Sequence, residues 1–208
     1  LGRAHGGALS YAARTRRPPR TLTDDEVKRL LATSGRDRDG FRDHVIFSLA
    51  LGCALRESEI VGLDVADVMT LAGGVRKVVQ LRVFKGYARA RDVQGQRVHL
   101  PEATYYKLEK YVRALRWRGD IPLFVSRKGN RLSTRAVRAL FEKWQRAAGF
   151  DQLYNFHVLR HTAITIVRRK TKDIRVAQRF ARHASITTTT IYDHVADEEI
   201  AAAVRDLG

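Results

Sequence analysis

Two arginines, two histidines and one tyrosine are the side chains needed to hold a phosphodiester and attack it with a phenol. The segment from Asn155 to Val195 contains NFHVLRHTAIT and then FARHASITTTTIYDHV, which supply His157, Arg160, His161, His183 and Tyr192. Upstream, ALRESEIVGL adds Arg56. Phosphodiester transfer loads negative charge onto the nonbridging oxygens, and planar, permanently charged guanidinium groups suit that load. Arg56 and Arg160 are the candidates. A phenol with a reference pKa near 10 must lose its proton or have its phenolate stabilised before it attacks, and nearby arginines and a histidine do both. On a helix His157 and Arg160 share a face, and His161 stands one turn beyond His157. Each residue alone has an ordinary reading. An arginine in a basic chain forms surface ion pairs, His157 or His161 can pack in a core or cap a helix, and Tyr192 between Ile191 and Val195 can be core. Their company is what singles them out.

A zinc site is a competing use of the histidines. His157 and His161 are at i, i+4 and His183 is available as a third ligand. HVLRH lacks the glutamate of the HExxH pattern, however, and puts an arginine where a cation would bind. Attack by tyrosine conserves the energy of the broken bond in a covalent phosphotyrosine, so it calls for no metal, ATP or other cofactor.

The elements that must position these residues read as mainly helical. A basic linker or arm occupies residues 1–20, rich in Gly, Arg and Pro. Thr23-Asp24-Asp25-Glu26 is a capping box that opens a helix carrying Val27, Leu30 and Leu31. A second helix is expected over Asp39 to Leu51, and a short one over Arg56 to Leu63 with Ile60 and Leu63 inward. Val78 to Phe84 and Gln96 to Leu100 read as two strands joined by a basic connection, Lys85 to Gly95. The first strand could begin at Val75, or an earlier strand could lie within Val65 to Leu71. After Pro101 a helix follows with Leu108, Val112 and Leu115 at helical spacing. Ser133 caps a helix over Thr134 to Ala147. Helices then cover His157 to Arg169 and the run from Asp173, and Asp197 caps a last one over Glu198 to Leu207. The fold class is α+β: mainly α with one small antiparallel sheet.

The chain has 208 residues, 44% hydrophobic and 29% charged, enough for one cored domain. No apolar run approaches a membrane span and no signal-peptide core opens the chain, which does not begin with Met. Cys53, the single cysteine, excludes an internal disulfide and reads as a buried small hydrophobe. A cytoplasmic location is expected. Lys and Arg number 39 against 22 Asp and Glu, a net +17 spread along the chain, which points to a folded face for a polyanion.

The boxes resemble those of the tyrosine recombinases, the phage-integrase and Xer-type family, over about Thr21 to Leu207. ALRESEIVGL is similar to the box of the first catalytic arginine, HVLRHT to the second, and ARHASITTTTIYDHV to the third. The resemblance implies a tyrosine recombinase catalytic-domain fold over 21–208 and site-specific cutting and rejoining of double-stranded DNA. Arg56 and Arg160 would bind the scissile phosphate, and Tyr192 would attack it to form a 3′-phosphotyrosine. His157 would assist proton transfer and His183 would hydrogen-bond the phosphate. The family's turn lysine, the general acid for the leaving 5′-oxygen, falls on Lys85, with Lys77 as the alternative. Glu59 either orients Arg56 or His157, or is an ordinary helix-surface carboxylate. The segment after the nucleophile would dock on a neighbouring copy, giving a tetramer on synapsed DNA.

The chain departs from the family at Ala181-Arg182-His183, where Leu-Gly-His is common; the bulkier, charged Arg182 would change the turn or a DNA contact. Lys170-Thr171-Lys172 replaces a Gly-rich joint. The family's N-terminal clamp domain is expected to be absent, making this a catalytic fragment or a minimal enzyme. A type IB topoisomerase-like strand transferase and a catalytically silent DNA-binding module are the other readings.

Overall fold

A computed structural model describes residues 19–36, 40–81, 97–115 and 121–193. The arm (residues 1–18), Lys85 with its connection, and the last helix from Asp197 lie outside the described residues. The elements run α1 (Asp24–Arg36), α2 (Phe41–Cys53), α3 (Glu57–Val61), α4 (Val65–Val68), β1 (Val78–Gln80), β2 (Arg97–His99), α5 (Glu102–Ala114), α6 (Thr134–Ala147), α7 (His157–Thr171) and α8 (Ile174–Ala181). Two 3-10 turns, Ile186–Thr188 and Thr190–Tyr192, follow.

The local signals act as read. At α1 the Glu26 N–H donates to Thr23 Oγ1 at 3.2 Å and the Thr23 N–H to Glu26 Oε2 at 2.8 Å, the two halves of a capping box. Ser133 Oγ accepts from the Ala136 N–H at 3.1 Å, and Asp173 Oδ1 from the Arg175 N–H at 2.7 Å. β1 and β2 pair antiparallel with Val79 opposite Val98, both buried. One reading is corrected: Val65–Val68 is a turn of helix, not a strand. Asp64 precedes it, and its N–H donates to Asp67 Oδ2 at 2.8 Å, reciprocal bonding that starts a helix. The backbone then returns through a single bridge between Met69 and Val75.

α2 is the central rod. Residues 43 to 50 along it are all buried, because α1, α5 and α7 pack around it. Phe47, Phe141 and Phe156 meet at 5.5 to 6.3 Å between ring centroids, joining α2, α6 and the entry to α7. Trp144 Nε1 donates to the buried Asp43 carboxylate at 2.9 Å. Gln145 fixes the loop that feeds α7: its Oε1 accepts from the Tyr154 N–H at 2.7 Å and its Nε2 donates to the Tyr154 carbonyl at 3.0 Å. Thr162 Oγ1 accepts from the Leu22 N–H at 2.9 Å, so the entering chain is tied to α7 as well. A second, smaller cluster of Ala54, Ala163, Ile164, Ala177, Ala181 and Tyr192 joins α7, α8 and the second 3-10 turn. None of the helices among the described residues is long and apolar enough to cross a membrane.

Candidate active site

The site gathers where α2 ends. Ala54 caps α2 in the left-handed region (φ 49°), so the chain turns sharply and Arg56 becomes the residue before α3. Arg131 secures this corner from the far side, donating to the Val61 carbonyl at 2.8 Å, the Leu63 carbonyl at 3.1 Å and the Asp64 carboxylate.

Glu59 is 5% exposed, which overturns its reading as a surface carboxylate. Its Oε1 accepts from Arg56 Nη1 at 2.6 Å, and its Oε2 from the Arg56 N–H at 2.8 Å and from Arg182 Nη2 at 2.7 Å. Burial pushes its pKa up. Arg182, the Arg56 N–H, and the Arg56 and Arg160 guanidinium groups outweigh burial and hold it below the ordinary carboxylate value. The Arg56 side chain remains 36% exposed, so its outer edge is open to a ligand.

Arg160 lies on the inner face of α7 and is 2% exposed. Its guanidinium donates to the carbonyls of Ala54 and Ala181, bridging the ends of α2 and α8. Burial, then repulsion from Arg56 and Arg182, lowers its pKa to about 9, against the pull of Glu59 and Tyr192; it stays charged at neutral pH.

The histidines complete the wall. His157 opens α7 and is exposed; burial of part of its ring, then Arg160 and Arg56, lowers its pKa. His161 meets it edge-to-face at 4.6 Å between centroids. His183 Nδ1 lies 2.9 Å from Thr189 Oγ1, and its ring stacks 6.3 Å from that of Tyr192. Burial drives both His161 and His183 down to about 4, helped by His157 and then Arg160 at His161, and by Arg160, Arg56, Arg182 and His157 at His183. Tyr192 is 6% exposed, and its hydroxyl is hydrogen-bonded to His161 Nδ1. Burial raises the phenol to about 12, with Arg160 pulling the other way. Arg168 on α7 holds the next residue, Asp193, through Nε at 2.7 Å and a second bond from Nη2.

Arg56, Glu59, His157, Arg160, His183 and Tyr192 therefore converge, although Arg56 and Tyr192 are far apart in sequence. Lys77 is exposed just before β1, where its carbonyl accepts from the Leu100 N–H at 3.0 Å. Two residues gain parts that the sequence did not assign. His161 holds the phenol. Arg182 turns into the protein instead of altering an outer turn. Among the described residues no three His, Cys, Asp or Glu side chains cluster to hold a metal ion. A cluster of guanidinium groups with one open edge at Arg56, beside a phenol docked on a neutral imidazole, is the chemistry on offer.

The profile of the Phage integrase family matches residues 20–199. Tyrosine recombinase XerC of Haemophilus influenzae is 32% identical over 193 residues, covering 93% of this chain and 62% of that protein. The chain thus spans less than two thirds of that relative's length. The crystal structure of XerA recombinase superposes with a TM-score of 0.70 at 27% identity, over 92% of this chain and 64% of that one. The XerH site-specific recombinase bound to its difH substrate shares the fold at 20% identity, with a TM-score of 0.69 over 92% of this chain and 55% of that one.

Proposed function

The chain belongs to the phage integrase family, and from that premise we propose that it is the catalytic domain of a tyrosine site-specific recombinase. It cuts and rejoins double-stranded DNA through a 3′-phosphotyrosyl intermediate. The observation that carries this reading is the docking of Tyr192 on His161 beside the arginines: charge from Arg160 acts on the phenol, and Arg56 leaves an edge exposed.

Arg56 and Arg160 neutralise the scissile phosphate, and His183 hydrogen-bonds it. The Tyr192 oxygen attacks phosphorus while the phenolic proton passes to His161 Nδ1, with His157 assisting. The bond from phosphorus to the 5′-oxygen breaks, and that oxygen takes a proton from Lys85. One phosphodiester is exchanged for another, so the strand can be rejoined by the reverse steps without ATP. Glu59 keeps Arg56 aimed. The net charge of +17 supports DNA as the partner and predicts binding that weakens steeply with salt. In the assembled complex, copies associate as a tetramer through the segment after Tyr192; deleting residues 197–208 is expected to weaken cooperative synapsis, and unchanged assembly on DNA would refute that part.

The test is a nicked suicide DNA substrate drawn from sequence flanking the gene, without added metal. A covalent adduct on a denaturing gel that disappears in Tyr192→Phe is the expected result. Salt-sensitive binding with no adduct would favour a silent DNA-binding module.

A further inference from the structure

Arg182 occupies an expensive position. It caps α8 in the left-handed region (φ 53°), a conformation that glycine adopts freely and that other side chains rarely adopt. A long charged side chain there needs an interaction to keep it. The guanidinium runs inward: Nη1 donates to the Cys53 carbonyl at 3.1 Å and the Phe180 carbonyl at 3.2 Å, and Nη2 to the Ala54 carbonyl at 3.0 Å and Glu59 Oε2 at 2.7 Å. Both side chains of the Arg182–Glu59 pair are 6% exposed. Both terminal nitrogens of Arg182 are thus committed to protein acceptors, whereas Arg56, on the same carboxylate, keeps an exposed edge.

We propose that Arg182 is a positioning residue for the phosphate site, locking the Glu59 carboxylate in the orientation that aims Arg56. The inference deepens the recombinase reading and rests on it. Glu59 can grip Arg56 at both the backbone N–H and the guanidinium only as an oriented carboxylate, because these two donors need different oxygens. Arg182 binds the oxygen that also holds the backbone N–H, leaving the other for the side chain. The carboxylate is faced by Arg56 at the start of α3, Arg182 at the end of α8, and Arg160 and His157 on α7. Among the three arginines the charge of Arg182 opposes the burial of Glu59 most strongly. Without it, Glu59 takes up a proton at higher pH and can no longer accept from Arg56 at both oxygens. A purely architectural arginine, tying α8 to the end of α2, would not couple to protonation in this way.

The experiment is single-turnover cleavage of the nicked suicide DNA at saturating protein, from pH 5.5 to 8.5, for wild type, Arg182→Ala, Arg182→Gly and Arg182→Lys. Affinity for the uncleaved DNA and thermal melts are recorded in parallel. Arg182→Ala is expected to cleave on the order of tenfold more slowly at pH 8, about the worth of one charge-assisted hydrogen bond. Its acid limb should move to higher pH while DNA affinity changes little, and Arg182→Lys should restore part of the rate and the wild-type limb. Should Arg182→Ala not fold, Arg182→Gly, whose backbone is relaxed at this φ, carries the same readout. Wild-type rate and pH profile in the folded variant, or a pH-independent loss that Arg182→Lys does not recover, would overturn the inference. No adduct from wild type strikes the recombinase reading instead, so the two failures are distinct.

Discussion

Acid should disarm this domain well before it protonates ordinary carboxylates. His44, His161 and His183 are each lowered to about 4, with burial as the largest cause in every case. In the unfolded chain each returns to about 6.5. A histidine depressed by folding binds protons more readily when unfolded, so its stability contribution is complete above pH 6.5 and drains as pH falls toward 4. For a drop from 6.5 to 4, proton linkage gives roughly 2 kcal/mol lost at pH 5 for each group. His161 owes part of its shift to His157, so its own share is about 1 to 2 kcal/mol. The perturbation is His161→Gln, whose amide oxygen can still accept the Tyr192 proton. Urea unfolding followed by circular dichroism at pH 7.5 and pH 5.0 gives both stabilities, with equal m-values as the check on a common unfolded state. Wild type should lose at least roughly 4 kcal/mol between the two, and the variant about 1 to 2 kcal/mol less. A flat wild-type profile, or the same loss in both proteins, would refute the assignment of a neutral, desolvated imidazole beneath the phenol.

Arg168→Ala should slow adduct formation while leaving DNA affinity nearly intact. It frees Asp193 next to Tyr192, and loss of this half-buried pair should cost about 1 to 2 kcal/mol in the urea titration. Trp144→Phe should cost about 1 to 3 kcal/mol in a urea titration, because the buried Asp43 carboxylate loses a 2.9 Å donor. Gly52→Ala should destabilise by about 1 to 3 kcal/mol in the same assay, since the added Cβ would meet Thr104 Oγ1 at 2.5 Å; an unchanged midpoint would mean that α5 yields without strain.

What the sequence revealed of this architecture was local, and what it hid was long-range. Thr23 with Glu26, Ser133 and Asp173 each bond backbone within a few residues, so helix starts were legible where those side chains stood. The Asp64 and Asp67 pair carried the same kind of signal, but Val65, Val68, Met69 and Leu71 left a strand open as an alternative, and the short helix was missed. At the site, Arg56, Arg160 and Tyr192 stood out by type and spacing. The fate of Arg182 did not, because its carboxylate partner lies 123 positions away and no periodicity links the two. His161 presented itself as a core or capping residue, with metal binding disfavoured by the arginine beside it. Only the return of the chain through the second 3-10 turn brings Tyr192 onto its Nδ1. Glu59 was undecided between surface and site for the same reason: its burial depends on α8 arriving from elsewhere.

The smaller hydrophobic cluster gives the proposed nucleophile a second occupation. Tyr192 is the one aromatic ring among alanines and Ile164 in the buried part of that cluster. With so little of it exposed, a DNA strand would reach the phenol only if the ring swung outward or its neighbours parted around it. Either movement leaves short methyl groups facing a gap that they cannot fill. On the proposed function, the resting domain keeps its nucleophile as packing material, and the strength with which alanines hold the ring would also set a threshold for a bound strand. Enlarging Ala163 or Ala177 would then tune readiness to cut without touching any charged group.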